Sequence, residues 1–420
     1  MGEPYLAVCP VVSDTADRTA HVFTFDGYLR FWAEDRPGRP ALDTPDAKLD
    51  FAELDRVTTA IAGALREHGI GGGDRIAWQG RDAGLFFQLF FGAARAGVVM
   101  VPIEPDHGPD ATRAIAEDAG IKALFLGTGQ TAPAAALAGL CSLVRCFDAD
   151  ETRRWIAGSY PVSLATPAPN TAVLQLYDPD APNNPPGNSP GNPPGVLLSH
   201  CNLLGLRKAM LGHDLPHVAP GDDETLIVAM PFWRIAGIGP VVMALAAGLP
   251  AVIRDPADPA GMAAALAVPG MTRLYITPTG LGALLAHPDA ARCRTVRYIA
   301  CGPDPVAAGL RRAVRARLGA SVVRSYGRPE TAGTIAMLPP DEAKGSGAVG
   351  RALPGVEIRI VGTDGLPLPT GTTGAIAARS SSTMLGYWNR PEATAMALTR
   401  DGWVLTGDSG HLDAQGVLYV

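Results

Sequence analysis

Basic charge, patterned cysteines, aromatic side chains and unbroken apolar runs are all scarce in this chain. The formal net charge is −6, so there is no cationic footprint for a nucleic-acid backbone or an anionic lipid surface. Lysine is confined to Lys48, Lys122, Lys208 and Lys344 beside abundant arginine, a bias that fits GC-rich coding more readily than function. Cys9, Cys141, Cys146, Cys201, Cys293 and Cys301 show no CxxC spacing and no histidine partners. Zinc and disulfide frameworks are therefore not expected, whereas a reduced, cytoplasmic protein is. The start, MGEPYLAVCPVVSD, lacks the basic and long apolar segments of a signal peptide. The longest apolar tract, Leu226 to Ile253, is broken by Pro231, Arg234, Pro240 and Pro250. It reads as buried core, not as a membrane span.

What is present is a large Ala/Val/Leu supply in 420 residues, enough for two or three packed units. Residues 49–66 place apolar side chains at helical spacing, and HGIGGGDRIAW stops that helix and opens a strand. Helix and strand alternate again in GLFFQLFFGAARAGVVMVPIEP and in 112–126, and 128–140 reads as an Ala-rich surface helix. Further on, ETLIVAM, PAVIRD, MTRLYITP, VRYIACG and SVVRS read as strands, each followed by helical or loop material. Such alternation predicts an α/β fold with mainly parallel sheets. Arg311 to Leu318 reads as a helix with a solvated basic face. From Gly350 short strands with Gly/Asp turns replace helices. We therefore expect paired α/β sheet subdomains over 1–349 and a small β-barrel-like unit over 350–420. The last residues, GVLYV, read as a strand, which suggests a further domain beyond them.

One stretch interrupts the pattern. Val173 to Tyr177 and Val196 to Leu198 are apolar strands, and between them lies DPDAPNNPPGNSPGNPPG, rich in Asp, Asn, Pro and Gly. Alone it reads as a linker.

Eight segments together resemble, in order, the adenylate-forming superfamily of acyl-CoA synthetases, peptide-synthetase adenylation domains and luciferases. They are LDFAELDRV (49–57), GAARAGVVMVPIEP (92–105), PPGVLLSHCNL (193–203), PFWRIAGIG (231–239), ACGPDPV (300–306), SYGRPE (325–330), GAIAARSSSTMLGYWNRPEAT (374–394) and GWVLTGDSGHLDAQGVLYV (402–420). GYWNRPEAT followed by GWVLTGD is most similar to the acyl-CoA ligase branch. The resemblance implies the large N-terminal domain of that superfamily, two stacked mainly parallel sheets plus a small β unit. The family's small C-terminal domain would lie beyond this chain.

It also implies a site. Asp408 matches the acid that grips the ribose hydroxyls. Tyr326 matches the aromatic that stacks on adenine, with Gly302, Pro303, Ser325 and Gly327 beside it. Glu330 matches the carboxylate that holds Mg²⁺ near the phosphates. Trp233, Arg234, Ile235, Ala236 and Gly237 match the wall of the acyl pocket. Taken singly, Asp408 in TGDSG fits a turn and Tyr326 fits a core position.

The interrupting stretch falls where the family has Ser, Thr, Gly and Lys around the β- and γ-phosphates of ATP. Here GNSPGNPPG (187–195) stands instead, with Ser189 and Pro190 for the Thr pair and Pro194 for the Lys. Proline has no N–H to donate, the lysine charge is gone, and Asp178 and Asp180 add repulsion. Pro329 likewise replaces a phosphate-donating Thr. Removing one preorganised donor typically costs ~3–4 kcal/mol of barrier. Arg234 stands where the ligases usually have His; it either meets a polar or anionic acyl group or lines the pocket mouth.

The expectation is an acyl-CoA ligase relative that takes a preformed acyl-adenylate to CoA, with ATP use weak or lost. Its cofactors would be the AMP moiety, CoA and a possible Mg²⁺, and a separate adenylating enzyme would supply the adenylate. The alternatives are a conventional ATP-dependent ligase and a non-catalytic acyl-adenylate-binding pseudoenzyme.

Overall fold

Helix and strand ends form where their local chemistry lies. Asp50 opens the helix Phe51–Glu67 through a reciprocal cap. Its carboxylate accepts from the Glu53 amide at 2.8 Å, and Glu53 accepts from the Asp50 amide at 3.1 Å. The pair satisfies two of the donors that a helix start leaves unbonded. The computed structural model describes residues 19, 21–130, 145–162, 164–178, 193–210, 213, 215–218, 220–302, 306–340, 345 and 347–420. Most of the helix expected at 128–140 lies outside these residues, as do Pro179 to Asn192 of the interrupting stretch and Pro303.

Two compact units make up the chain, one gathering Asn202–Thr383 with Ala397–Val420, the other Val22–Cys201 with Met384–Met396. The second carries a seven-stranded sheet in the order 386–387, 196–199, 172–176, 99–103, 75–79, 123–126, 145–147. Arg75–Gln79 pairs in parallel with Val99–Ile103 and with Ala123–Leu126, whereas Ala172–Leu176 and Val196–Ser199 are antiparallel. Central parallel strands lose water from both faces, and Val99–Ile103 and Ala123–Leu126 are buried at every position. The adjacent helix Ala83–Arg95 is also buried all round, as its near-continuous apolar sequence requires.

In the first unit, strands 251–253, 225–229, 271–276, 298–301 and 321–328 pair in parallel. Helices Ile235–Ala246, Pro259–Leu266, Pro278–Ala286 and Ala308–Leu318 interleave with them. Beyond Ser321–Arg328 every pairing is antiparallel, through Gly333–Leu338, Ala348–Ala352, Leu418–Tyr419, Val404–Leu412, Gly374–Arg379 and Glu357–Val361. The α/β class with two sheets and interleaved helices is thus the fold found. Arg311, Arg312, Arg315 and Arg317 are exposed, while Val314 and Leu318 fill the core. Among the described residues no helix is long and apolar enough to cross a membrane.

One expectation needs correcting. Cys201 is disulfide-bonded, whereas Cys293 and Cys301 are buried thiols. Cysteine spacing reveals neighbours in sequence, and this pairing depends on the fold.

His200, at the start of the helix His200–Met210, is fully buried. Its Nδ1 accepts from the Phe25 amide at 3.2 Å, and the two rings meet edge to face. Burial pushes its pKa from the ordinary 6.5 down to about 3. The folded chain therefore keeps His200 neutral where the unfolded chain takes up a proton. Stability from this group is complete above pH 6.5 and is lost as pH falls towards 3, by about 1.4 kcal/mol per pH unit. Urea unfolding at pH 6.5 and 5 should show the wild type losing about 2 kcal/mol more than His200→Gln, by the same linkage. Equal losses would refute this role for His200.

Candidate active site

Successive side chains of the strand Ser321–Arg328 enter two different surroundings, as the two-residue period of a strand demands. Ser325 and Gly327 line a cavity of about 170 Å³. Tyr326 and Arg328 instead reach Asp408 on the strand Val404–Leu412.

The cavity wall is mainly apolar, with Met210, Met230, Met243 and Met337 contributing thioethers that adapt to irregular shapes. Ile235 and Ala236 enter from the start of the helix Ile235–Ala246, and Gly302 from the end of strand 298–301. Tyr275 lines it too, and burial pushes its phenol up to about 12, so it is a neutral donor at physiological pH. Trp233, Arg234 and Gly237 are not lining residues of this cavity. Arg234 is the N-cap of the helix, its carbonyl accepting from Gly237 at 3.0 Å and Ile238 at 3.1 Å. A Cβ on Gly237 would lie 2.4 Å from the Pro231 carbonyl oxygen, so glycine lets the loop close onto the helix.

On the other side of the strand, the Tyr326 hydroxyl donates to Asp408 Oδ2 at 2.8 Å and lies 2.9 Å from Thr406 Oγ1. Its ring packs against the cluster of Ala336, Val349, Ile360, Ile376 and Leu418. Burial, opposed by the Thr406 hydroxyl and reinforced by the Asp408 charge, raises the phenol well above its ordinary pKa. Arg328 faces the same carboxylate with two nitrogens, Nε donating to Oδ2 at 2.7 Å and Nη2 to Oδ1. The hydrogen bond to Asp408 raises the arginine pKa further against burial, and Tyr326 and Glu330 add to it. The guanidinium therefore stays charged beside the two carboxylates that the resemblance assigns to ribose and metal.

Pro329 and Glu330, both buried, sit on the short turn Pro329–Thr331 that follows. Thr331 Oγ1 accepts from the Arg328 amide at 3.0 Å and lies 2.8 Å from the Gly333 carbonyl oxygen. The turn closes so tightly that a Cβ on Gly327 would lie 1.8 Å from the Gly333 carbonyl oxygen. Ala332 takes the left-handed conformation, with φ at 50°. No cluster of three or more His, Cys, Asp or Glu gathers to hold a metal among the described residues. Glu330 as a lone carboxylate fits Mg²⁺ of the kind that takes its remaining oxygens from phosphate and water.

At the exit of the interrupting stretch, Pro194 and Gly195 are buried, and the Gly195 carbonyl accepts from the Trp388 amide at 2.7 Å. The arginines of this region are committed to other partners. Arg390 donates to Asp118 at 2.6 Å, an acid that also accepts from Tyr177 at 2.7 Å. Arg75 lies 3.3 Å from the centre of the Trp388 ring and donates to Gly73.

Sequence reasoning missed Arg328. The available signal was its place two residues after Tyr326 on one strand, which puts both on the same face.

An apolar cavity beside a Tyr–Asp pair on a mixed sheet is accompanied by a family match. Residues 29–388 match the AMP-binding enzyme family, and the chain belongs to it, within the adenylate-forming superfamily. It is 28% identical to the fatty acid–[acyl-carrier-protein] ligase ScoC of Streptomyces coeruleorubidus, over 93% of this chain and 75% of that protein. It is 31% identical to a feruloyl-CoA synthase of an Amycolatopsis species, over 89% of this chain and 73% of that one. In fold it resembles a fatty acyl CoA synthetase of Mycobacterium tuberculosis, with a TM-score of 0.83, 24% identity, and 94% of this chain and 77% of that chain covered.

The turn is testable by stability alone. Gly327→Ala should destabilise by about 3 kcal/mol or more, because backbone and not a flexible side chain must move. Ala332→Gly should stabilise by about 1 kcal/mol, because it relieves a left-handed alanine. Denaturant midpoints showing no loss for the first, or a loss for the second, would refute this geometry.

Proposed function

We propose that this protein binds an acyl-adenylate and transfers the acyl group to CoA, with ATP-dependent adenylation weak or lost. The observation that carries the reading is the strand Ser321–Arg328, which lines an apolar cavity on one side and meets Asp408 on the other. In this reading Asp408 holds the ribose and Tyr326 the adenine, with Gly302, Pro303, Ser325 and Gly327 beside the base. Glu330 serves Mg²⁺ when present. Ile235 and Ala236 form part of the acyl wall, and Trp233, Arg234 and Gly237 shape the loop that carries it. The methionine-lined cavity suits an apolar acid. Residues 350–420 act as the small β subdomain of the site.

The CoA thiolate attacks the acyl carbon, a C–S bond forms, and the acyl C–O bond to phosphate breaks as AMP leaves with the electron pair. That step needs no clamp on pyrophosphate. Making the adenylate does, because charge builds on the leaving pyrophosphate and needs donors and metal. Pro190, Pro194 and Pro329 remove donors, and the nearby Arg390 and Arg75 are engaged with Asp118 and Trp388. The relatives favour one rival reading, a conventional ligase, since both carry ligase or synthase names.

Two assays on the protein separate the readings. Synthetic acyl-adenylate plus CoA should give thioester and AMP. Acid-driven ATP–pyrophosphate exchange should be at least about 10²-fold below that of a conventional ligase, the cost of a missing donor. Strong exchange would establish the conventional reading, and no thioester would leave a binding protein without catalysis.

A further inference from the structure

Asp408 is already occupied. A carboxylate offers about four acceptor positions, and Tyr326, Arg328 Nε and Arg328 Nη2 take three of them. A ribose presenting two hydroxyls needs two, so it cannot dock on Asp408 with the arginine fork in place. We infer that Arg328 is a specificity-determining residue that competes with ribose for Asp408, so that nucleotide binds only by displacing the fork. This rests on the reading of Asp408 as the ribose acid.

The pair is suited to exchange. Arg328 and Asp408 are 24% and 13% exposed, so the fork can be released towards water and not into a dry core. Glu330 follows Arg328 by two residues on the turn Pro329–Thr331, which gives the released guanidinium a second carboxylate close along the chain. Glycine at 327 and the Thr331 bonds fix the backbone on either side, so the exchange is confined to the side chain. A fork that must be displaced lowers apparent affinity by the fraction of time Asp408 is uncovered. The effect falls on ligands with ribose hydroxyls and not on those without them.

Calorimetric titration with adenosine and with 2′,3′-dideoxyadenosine tests this on the wild type, Arg328→Met, Arg328→Lys and Asp408→Asn. Arg328→Met should bind adenosine roughly tenfold more tightly than the wild type, the scale of a charged hydrogen bond in a partly buried pair. Its affinity for the dideoxy nucleoside should be unchanged. Arg328→Lys, which keeps charge but cannot fork, should fall between the two and serves as the check on folding. A merely structural arginine would alter both nucleosides alike. Adenosine bound equally or more weakly by Arg328→Met would overturn the competition alone. Asp408→Asn that still prefers adenosine to the dideoxy compound would overturn the ribose assignment itself, and no adenosine binding by any variant would overturn the nucleotide reading and this inference with it.

Discussion

The strand Ser321–Arg328 is bonded in parallel to Tyr298–Cys301 on one edge and antiparallel to Gly333–Leu338 on the other. The candidate site depends on that change of partner. On the parallel edge the sheet brings Ala300 and Gly302 to the cavity beside Ser325 and Gly327. On the antiparallel side the chain must reverse within a few residues, which requires glycine at 327, a left-handed Ala332 and the hydroxyl of Thr331. That reversal sets Glu330 just past Arg328, and the strand period sets Tyr326 and Arg328 together on Asp408.

Charge balance follows from the same placement. Arg328 pairs with the Asp408 carboxylate through two nitrogens, and the charge of Glu330 also favours its charged form. The region around the interrupting stretch is arranged in the opposite sense. Its flanking strands are anchored through Asp118, Trp388 and Gly195, with the local arginines already held. Arg328 is thus held on Asp408, and Arg390 and Arg75 on Asp118 and Trp388.

Much of the architecture was legible because it is local. The helix at 51–67, the apolar parallel strands and the helix–strand alternation around them each carry their cause within a few residues. The family likeness was legible from segment order, and it pointed to Tyr326 and Asp408, which the fold places in contact. Other features depend on distant parts of the chain. Gly237 reads as pocket wall in sequence, but its missing Cβ is required by the Pro231 carbonyl. The fork of Arg328 on Asp408 joins positions whose proximity no spacing rule encodes.

The phosphate-poor stretch and the retained Asp408–Tyr326 pair lead to one quantity, the affinity for Mg·ATP relative to AMP. On the proposal that GNSPGNPPG (187–195) supplies too few donors for the β- and γ-phosphates, AMP should bind the protein at least as tightly as Mg·ATP in side-by-side calorimetric titrations. Mg·ATP binding about tenfold or more tightly than AMP, a gain of 1.4 kcal/mol from the extra phosphates, would contradict an emptied phosphate loop.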